Sequence, residues 1–368
     1  MSIAWKDVKK NKGKYTIIIL VLVCTMYLVF FTIGLTTGLR RLGASKIMNS
    51  PAETFILSGG SSESMVQSSF SGAHATDILE DLDDNSAFIL GVRLANMQNL
   101  SDKTSRETFE VAYFGMDPNS FMMPEIEIGR TPENEQEVIA SSYLQAEGVQ
   151  LGDTIYDVNM NVPFTIVAFT NDETYSYSPI VYLNQPQYSK TTITGQMVGF
   201  ATVQAIVSKN EKNFIPDYFY HKYDIDVVSK EDIVTNIPGL LAQRVSFLLL
   251  IISMYIISGT ILAMFFYIIT IQKKKELGQL KALGASTSYL LKMMLAQVGI
   301  VVGLSVLISV TLIYITNIIL PSIVPFLFSW SSILTGSVIF LTVAILGSIA
   351  SLWQVINIDP IIAIGGNN

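Results

Sequence analysis

The residue types that most often carry enzymatic or metal chemistry are scarce in this chain of 368 residues. Cys24 is the single cysteine, and the two histidines, His74 and His221, belong to no H-E-x-x-H motif. The phosphate-binding pattern G-x-x-x-x-G-K-S/T is missing too, because Gly13 and Lys14 lack the leading glycine and the hydroxyl residue. No nucleophile and base form a recognisable pair. We therefore expect no catalytic residues, no bound metal, no intrinsic cofactor and no ATP hydrolysis by this chain.

One short charged segment stands between two long uncharged stretches: residues 273–286, K-K-K-E-L-G-Q-L-K-A-L-G-A-S. Leu277, Leu280 and Leu283 recur every three residues, so they are predicted to lie on one side of a short helix. Gly284 follows the last leucine, where the end of a helix is favoured. An apolar ridge on a charged helix is typical of a surface that docks on a partner protein. The alternative is an ordinary loop between two membrane spans.

Hydropathy and charge divide the chain into apolar flanks and an acidic middle. Half of the residues are hydrophobic, 14% are charged, and the mean hydropathy is +0.45, which is typical of a membrane protein. Within a formal net charge of −7, residues 41–243 carry 27 acidic and 11 basic residues, whereas the remainder carries 3 and 12. These basic residues border the uncharged stretches, as expected at a membrane surface, so no nucleic-acid partner is expected.

Three uncharged stretches are long enough to cross a membrane: residues 15–39, 245–272 and 293–358. The last has 66 residues, room for two crossings, with a turn marked by Pro321 and Pro325. Five lysines precede the first stretch and more lysines follow the second, so both regions are predicted to be cytoplasmic. The acidic middle then lies outside the cell, and both termini lie inside.

The predicted fold class is a membrane protein with four transmembrane helices and an α+β extracytoplasmic domain inserted between the first and the second. The predicted segments are a cytoplasmic interfacial segment (1–14), spans at 15–39, 244–272, 293–320 and 332–358, the extracytoplasmic domain (40–243), a cytoplasmic coupling loop (273–292), an outer turn (321–331) and a cytoplasmic tail (359–368). In the domain, alternating apolar runs predict strands at 88–92, 110–114, 164–168 and 180–183, with helices near 76–82 and 141–147.

This order of elements resembles the FtsX/MacB, or type VII, family of ABC transporter permeases. The motifs that carry the resemblance are E-L-G-Q-L-K-A-L-G-A at 276–285, V-I-A-S at 138–141 with G-V-Q-L-G-D-T at 148–154, and D-P-I-I-A-I at 359–364. The resemblance implies a MacB-like homodimer that pairs with two copies of a separate ATPase, which alone binds ATP and Mg²⁺. The coupling residues that it implies are Lys274, Glu276, Leu277, Gly278, Leu280, Lys281, Leu283 and Gly284.

A narrower resemblance is to the permeases of haem-exporting pumps in Gram-positive bacteria. It rests on residues 171–175, 178–184, 227–229 with Asp232, 265–273 and 359–366, although Ile362 stands where such tails commonly have glutamate. It implies a multi-pass protein of the cell membrane, in contact with lipid, that exports haem as a small-molecule substrate. Methionine and tyrosine can ligate haem iron. The candidate haem residues are Met26, Tyr27, Phe30, Phe31, Glu173, Tyr175, Tyr177 and Glu231, each of which has ordinary packing as its alternative role.

Other functions are compatible with the same family features. Some members of this class transmit force to regulate a cell-wall hydrolase, and others export peptides or lipoproteins. An apolar, aromatic first span favours export of an amphiphile, whereas a docking patch within residues 42–240 would favour hydrolase control. A membrane protease is the remaining enzyme alternative, and the missing metal motif and nucleophile argue against it.

Overall fold

The computed structural model describes residues 5–6, 9–82, 84–100, 108–192, 202–321 and 324–356. The predicted tail, with the D-P-I-I-A-I motif, lies outside these residues. The chain divides into two compact units. One is the domain unit, Leu39–Gln243; the other is the membrane unit, which combines Met1–Gly38 with Arg244–Asn368.

Helices dominate the membrane unit, and the domain unit is mostly strands. In the described part of the chain the α-helices are α1 (Lys12–Asn49), α2 (Gly72–Leu82), α3 (Tyr143–Ala146), α4 (Gln185–Thr192), α5 (Asp217–Tyr223), α6 (Lys230–Thr235), α7 (Leu240–Gln272), α8 (Lys274–Ala282), α9 (Thr287–Ile319) and α10 (Trp330–Ile356). The strands are β1 (Thr54–Ser58), β2 (Phe70–Ser71), β3 (Ala87–Asn99), β4 (Thr108–Met116), β5 (Ile126–Gly129), β6 (Glu137–Ser141), β7 (Thr154–Asp157), β8 (Val162–Thr170), β9 (Thr174–Tyr175), β10 (Ser178–Asn184), β11 (Thr202–Val203), β12 (Ala205–Ser208) and β13 (Ile225–Ser229).

Four helices, α1, α7, α9 and α10, are long and apolar enough to cross a membrane. The predicted class of four spans with an intervening α+β domain is therefore confirmed. Helix α1 extends ten residues past the predicted span, to Asn49, and α9 begins at Thr287, inside the predicted coupling loop. Ser286 caps α9 by accepting a hydrogen bond from the backbone N–H of Tyr289 at 3.2 Å, as its position before the helix predicts.

The membrane helices hold together through close backbone approach and hydrogen bonds, because lipid supplies little hydrophobic drive for helices to associate. A Cβ atom on Gly347 of α10 would lie 2.6 Å from the carbonyl oxygen of Gly259 in α7. Ser309 of α9 donates a hydrogen bond at 3.0 Å to the carbonyl oxygen of Val23 in α1. These contacts pack α7 on α10 and α9 on α1.

Gly34 and Gly38 of α1 admit the turn between α9 and α10. A Cβ atom on Gly38 would lie 2.0 Å from the carbonyl oxygen of Pro325, and one on Gly34 would lie 2.2 Å from the ring of Phe326. The amide of Leu327 also donates to the carbonyl oxygen of Gly34 at 3.1 Å. A G-x-x-x-G pair of this kind commonly lets two membrane spans approach each other closely. Within the described residues, its close partner is instead a non-helical turn.

Eleven strands of the domain unit form one mixed sheet in the described residues, and β2 and β11 form a separate pair. The order along the main path is β13-β1-β12-β3-β4-β10-β6-β8-β5, with β7 beside β3 and β8, and β9 beside β10. The pairs β4–β10 and β6–β8 are parallel, and the other pairs are antiparallel. All four predicted strands lie within β3, β4, β8 and β10, so those predictions are confirmed.

Alternation along the strands buries side chains on both faces of this sheet. In β4, Ala112 and Phe114 belong to one apolar cluster, whereas Val111 and Tyr113 belong to another. Helix α1 contributes Ala44 and Ile47 to the first of these clusters, together with Leu240 from the start of α7. The ends of both long helices that belong to the domain unit are therefore anchored in one core.

A bidentate ion pair links the two ends of the loop between β5 and β6, and it predicts how the stability of the fold depends on pH. The Arg130 guanidinium donates to both carboxylate oxygens of Glu137, at 2.7 and 2.6 Å, and lowers the pKa of Glu137 to about 2. A depressed carboxyl pKa stabilises the fold above its unfolded value of 4.5, and the gain is lost as pH falls through the folded pKa. We therefore expect Glu137→Gln to lower the melting temperature at pH 7.

The comparison to make is thermal unfolding of wild type and Glu137→Gln in detergent from pH 7 down to pH 2.5. The gap between the two melting temperatures should narrow steadily below pH 4.5. A gap that stays constant over this range would show that the carboxylate charge contributes nothing.

Candidate functional site

The predicted coupling segment forms helix α8, and its three leucines have different surroundings. Leu277 is buried against Leu290 and Met294 of α9. Leu280 is 37% exposed and Leu283, directly after the helix, is 86% exposed. The single exposed ridge expected from the three-residue spacing is therefore divided, with Leu277 as an internal anchor and the other two leucines open to solvent.

The remaining predicted coupling residues surround these leucines. Lys274 and Glu276 are exposed, Lys281 is half-buried and Gly278 is buried. Gly284 has φ +96°, a left-handed conformation that favours glycine and ends the helix. The backbone N–H of Ala285 then donates to the carbonyl oxygen of Leu280 at 3.0 Å. The result is a short, closed helix that presents a small apolar tip between charged side chains.

A second candidate site lies in the domain unit, where the end of α1 and the start of α7 hold the β9–β10 hairpin; we call it the stalk joint, and it comprises Gly43, Ser45, Lys46, Gln243 and residues 173–177. Lys46 is buried, and its ammonium donates to both oxygens of the Glu173 carboxylate, at 3.2 and 3.1 Å. Its ammonium also lies 4.8 Å from the ring centroid of Tyr182. An ion pair thus ties α1 to the sheet.

Glu173 receives a further hydrogen bond from the hydroxyl group of Tyr182. Burial and the charge of Glu173 raise the pKa of Tyr182 above its usual value, so the hydroxyl stays protonated and remains a donor. Ser45 adds a direct contact, because its hydroxyl oxygen accepts a hydrogen bond from the backbone N–H of Thr174 at 2.7 Å. Adjacent residues of α1 therefore hold adjacent residues of the hairpin.

The turn of this hairpin is conformationally unusual. Ser176 and Tyr177 have φ values of 52° and 68°, which side chains other than glycine adopt rarely, so the surrounding contacts must stabilise them. The backbone N–H of Ser176 donates to the carbonyl oxygen of Gly43 at 2.8 Å, and the hydroxyl of Tyr177 donates to Gln243 of α7. Next to Gly43, Ala44 interrupts the helical dihedrals of α1 with φ −143° and ψ 15°. Helices α1 and α7 therefore both hydrogen-bond to this turn.

The predicted haem residues of the domain unit fall in or near this joint. Tyr175 is buried, with its ring edge-to-face on Phe114 at 5.5 Å, and Tyr177 is partly buried at the turn. Glu231 lies apart from them on α6, with an exposed side chain 4.0 Å from Arg40. It lines an open groove of about 470 Å³ together with Arg40 and Lys230.

The predicted haem residues of α1 divide into an inner and an outer pair. Met26 and Phe30 are buried in the apolar core of the membrane unit. Tyr27 and Phe31 are half-buried and stack with ring centroids 6.3 Å apart and an angle of 21° between the planes. Phe326 continues this stack 5.6 Å from Phe31, again at 21°. Three aromatic planes with nearly parallel orientation therefore form a strip on the membrane unit.

The two histidines have separate surroundings. His74 stacks on Phe70 at 5.9 Å, and its Nε2 atom lies 3.3 Å from the carbonyl oxygen of Tyr223. His221 is exposed on α5. Among the described residues, no group of three or more histidine, cysteine or acidic side chains is placed to hold a metal ion.

Sequence reasoning missed Lys46 and Ser45, which the structure places at the centre of the stalk joint. A usable signal was present, because Lys46 stands alone among small and apolar residues in the stretch G-A-S-K-I-M. A charge in such a run is unlike a solvated helix face and indicates a buried partner. Its partner could not be read from the chain, since Glu173 is 127 positions away.

Comparisons with known proteins point to one family. Residues 247–360 match the family described as the FtsX-like permease C-terminal domain. A protein of Staphylococcus haemolyticus named as the hemin transport system permease protein HrtB is 28% identical over 366 residues, covering 100% of this chain and 99% of the relative. A protein of the same name from Staphylococcus epidermidis is 28% identical over 369 residues, with the same coverage of both chains.

Solved structures give more distant matches. The periplasmic region of MacB from Actinobacillus actinomycetemcomitans covers 53% of this chain and 98% of its own length, with 12% identity and a TM-score of 0.35. The extracellular domain of the transporter YknZ from Gram-positive bacteria covers 47% of this chain and 87% of its own length, with 12% identity and a TM-score of 0.31. The family match covers the second, third and fourth spans and the coupling helix, and the full-length relatives carry the same permease designation. Residues 247–360 are therefore an FtsX-like permease C-terminal domain, and the full-length chain is similar to permeases named HrtB.

Proposed function

We propose that this permease exports haem, or a similar flat amphiphile, from the membrane, using energy from ATP hydrolysis in a partner subunit. A permease of an ABC system works with an ATPase, and here that ATPase is a separate chain. The observation that carries the substrate proposal is the similarity along the entire chain to two proteins named for hemin transport. The chain itself serves as a non-catalytic membrane subunit.

The aromatic strip supports a flat substrate. Haem offers a broad apolar ring, and aromatic side chains stack on such rings in offset, nearly parallel arrangements. Tyr27, Phe31 and Phe326 are already stacked at angles of 21°, and Tyr27 and Phe31 are only half-buried. Met26 and Phe30 sit in the core of the membrane unit, so we assign them to packing. In a homodimer, two such strips would provide a pocket for the ring.

The stalk joint supports a mechanical role for the predicted residues of the domain unit. We propose that Glu173, Tyr175 and Tyr177 act by holding the ends of α1 and α7 and not by binding iron. Motion of either helix end would then reach the sheet through the Lys46–Glu173 pair and the hydrogen bond from Ser176 to Gly43. Glu231, exposed beside Arg40, remains a candidate for contact with the iron of a haem substrate.

The proposed cycle begins in the ATPase. Two permease chains and two ATPase chains would form the pump, with both permease termini and α8 in the cytoplasm of a Gram-positive bacterium. Closure of the ATPase dimer would push on the exposed tip of α8, formed by Leu280 and Leu283. The backbone continues from α8 into α7 through the single residue Lys273, so the push would be transmitted with little slack.

Titration of the purified protein with haemin tests the aromatic strip. Replacing Tyr27 and Phe31 together by alanine removes two stacking surfaces, each worth about 1 kcal/mol or more, so haemin should bind at least about tenfold more weakly. The control is alanine at Tyr267 and Tyr289, two exposed aromatic side chains of α7 and α9 outside the strip. We expect the control to retain wild-type affinity in Soret absorbance titrations; equal affinity of both variants would remove the strip from the binding site.

The biological function is best tested in a deletion strain. Loss of a haem exporter should sensitise cells to haemin and leave resistance to cell-wall antibiotics and bacteriocins unchanged. Sensitivity to cell-wall antibiotics alone would instead indicate control of a hydrolase, and sensitivity to bacteriocins would indicate peptide export. Complementation with the wild-type chain and with the Tyr27→Ala, Phe31→Ala variant connects the phenotype to the strip.

A further inference from the structure

A cationic cavity of about 160 Å³ lies in the membrane unit where the uncharged stretch of α1 begins and that of α7 ends. One wall comes from the N-terminal part of the chain and contains Lys10, Asn11, Lys14 and Tyr15. The facing wall contains Gln272, Lys273 and Glu276, from the end of α7 and the start of α8. Three lysines against one glutamate make the cavity electropositive.

The two walls are already connected. The ammonium of Lys14 donates to the side-chain oxygen of Gln272 at 2.5 Å, which holds one lysine across the cavity. Lysine ammonium groups and side-chain amides are donors with which proteins recognise phosphate oxygens. The volume is below the range of about 300–1,000 Å³ that pockets for larger ligands occupy, so it suits one phosphate group and not a nucleotide.

The position of the cavity relative to the membrane indicates which molecule would supply the phosphate group. Tyr15 is the first residue of the uncharged stretch of α1, and Gln272 is the last one of α7. The cavity therefore lies at the boundary between hydrocarbon and water, which is the level of lipid headgroups. We propose that it binds a phosphate group, supplied by the headgroup of an anionic phospholipid.

Such a site would influence the coupling helix. Lys273 joins α7 to α8, and Glu276 lies in the first turn of α8, so a phosphate held here bridges the start of α1 and the start of α8. A bound phosphate would neutralise the lysine charges, so the start of α1 and the start of α8 could stay close together. The inference concerns lipid and is independent of the exported substrate, so its test is separate from that of haem export.

Native mass spectrometry of the full-length protein tests this site. The protein in detergent is titrated with phosphatidylglycerol, with phosphatidylcholine and, separately, with inorganic phosphate as a competitor. We expect one phosphatidylglycerol per chain to be retained, and Lys10→Gln with Lys14→Gln to weaken its retention roughly tenfold or more, since each of these two lysines would lose a charge-assisted hydrogen bond to the phosphate. The matched control, Lys9→Gln with Lys12→Gln, removes the same charge from the same segment outside the cavity.

The outcomes separate a site from diffuse attraction. Equal losses in the two double variants, or equal retention of phosphatidylcholine, would overturn the proposal. Lys10→Arg with Lys14→Arg keeps the charge and should retain the lipid, which distinguishes loss of the site from misfolding. Displacement of the lipid by millimolar inorganic phosphate supports recognition of the phosphate itself, and binding of inorganic phosphate without lipid would support the site with a free anion as its ligand.

Discussion

Leu280→Asp combined with Lys281→Glu is expected to abolish ATP-driven export while the protein still inserts into the membrane. The Leu280 side chain of α8 is 37% exposed, and the neighbouring Lys281 is half-buried. Burying an apolar side chain of this size in an interface contributes about 1.5–3 kcal/mol. A buried, unpaired carboxylate costs about 3–5 kcal/mol. The affinity for the ATPase should therefore fall by at least about 100-fold.

Two further variants separate coupling from folding. Lys275→Glu changes the charge of an exposed residue on the same helix and should leave export close to wild type. Leu277→Asp places a charge between Leu290 and Met294, so it should lower thermal stability as well as activity. The measurement is permease-dependent stimulation of the ATPase in proteoliposomes, together with the melting temperature of each variant. Normal export by the Leu280→Asp, Lys281→Glu variant would contradict the assignment of α8 as the coupling element.

Single substitutions in the Lys46–Glu173 pair are expected to destabilise the domain unit far more than the double substitution. The Lys46 side chain is buried and the Glu173 side chain is mostly buried, with 5% and 15% of their surface exposed. Lys46→Met leaves the Glu173 carboxylate without its cation, and Glu173→Leu leaves the ammonium without its anion. Removing one partner of a buried ion pair costs about 3–5 kcal/mol, whereas replacing both by apolar residues is often nearly neutral. We therefore expect Lys46→Met with Glu173→Leu to be more stable than either single variant, with a remaining cost of about 1–3 kcal/mol because the Tyr182 hydroxyl loses its acceptor.

The double variant also tests the mechanical role of the stalk joint. The fold of the double variant should be intact. Apolar contacts would replace the ion pair between α1 and the hairpin, and such contacts fix the relative position of two elements less strictly. Coupled export should therefore fall by about tenfold or more. Chemical unfolding followed by tyrosine fluorescence gives the stability cycle, and haemin efflux from proteoliposomes gives the coupling. Wild-type efflux by a stable double variant would show that the pair serves folding alone.

The matched control for this pair is Arg93→Met with Asp157→Leu. Arg93 donates to the buried Asp157 at 2.5 Å, within the sheet and away from the stalk joint. This pair joins β3 to β7, where Ala95, Met97 and Ile155 belong to an apolar cluster that, among the described residues, contains none of α1 or α7. Replacing it should alter stability without a specific loss of coupling, so a similar loss of efflux would indicate a general effect of softening the domain.

Local features of the chain predicted the secondary structure well, because they depend on neighbouring residues. Alternating apolar residues predicted β3 and β4. The length of uncharged stretches predicted four spans. The spacing of three leucines predicted α8 and a shared face, but the pattern is the same whether that face meets a partner or another part of the chain.

The amino-acid sequence by itself determined the membrane class, the order of spans and domain, and the resemblance to FtsX-like permeases, since these follow from hydropathy, charge and short motifs. Only the tertiary structure decided which residues are available to partners. In the folded chain Leu277 packs against α9, Pro325 lies against Gly38, and Lys46 pairs with Glu173, 127 positions away. Such contacts depend on how distant segments pack in three dimensions, and no local pattern along the chain encodes which face of an element will be covered.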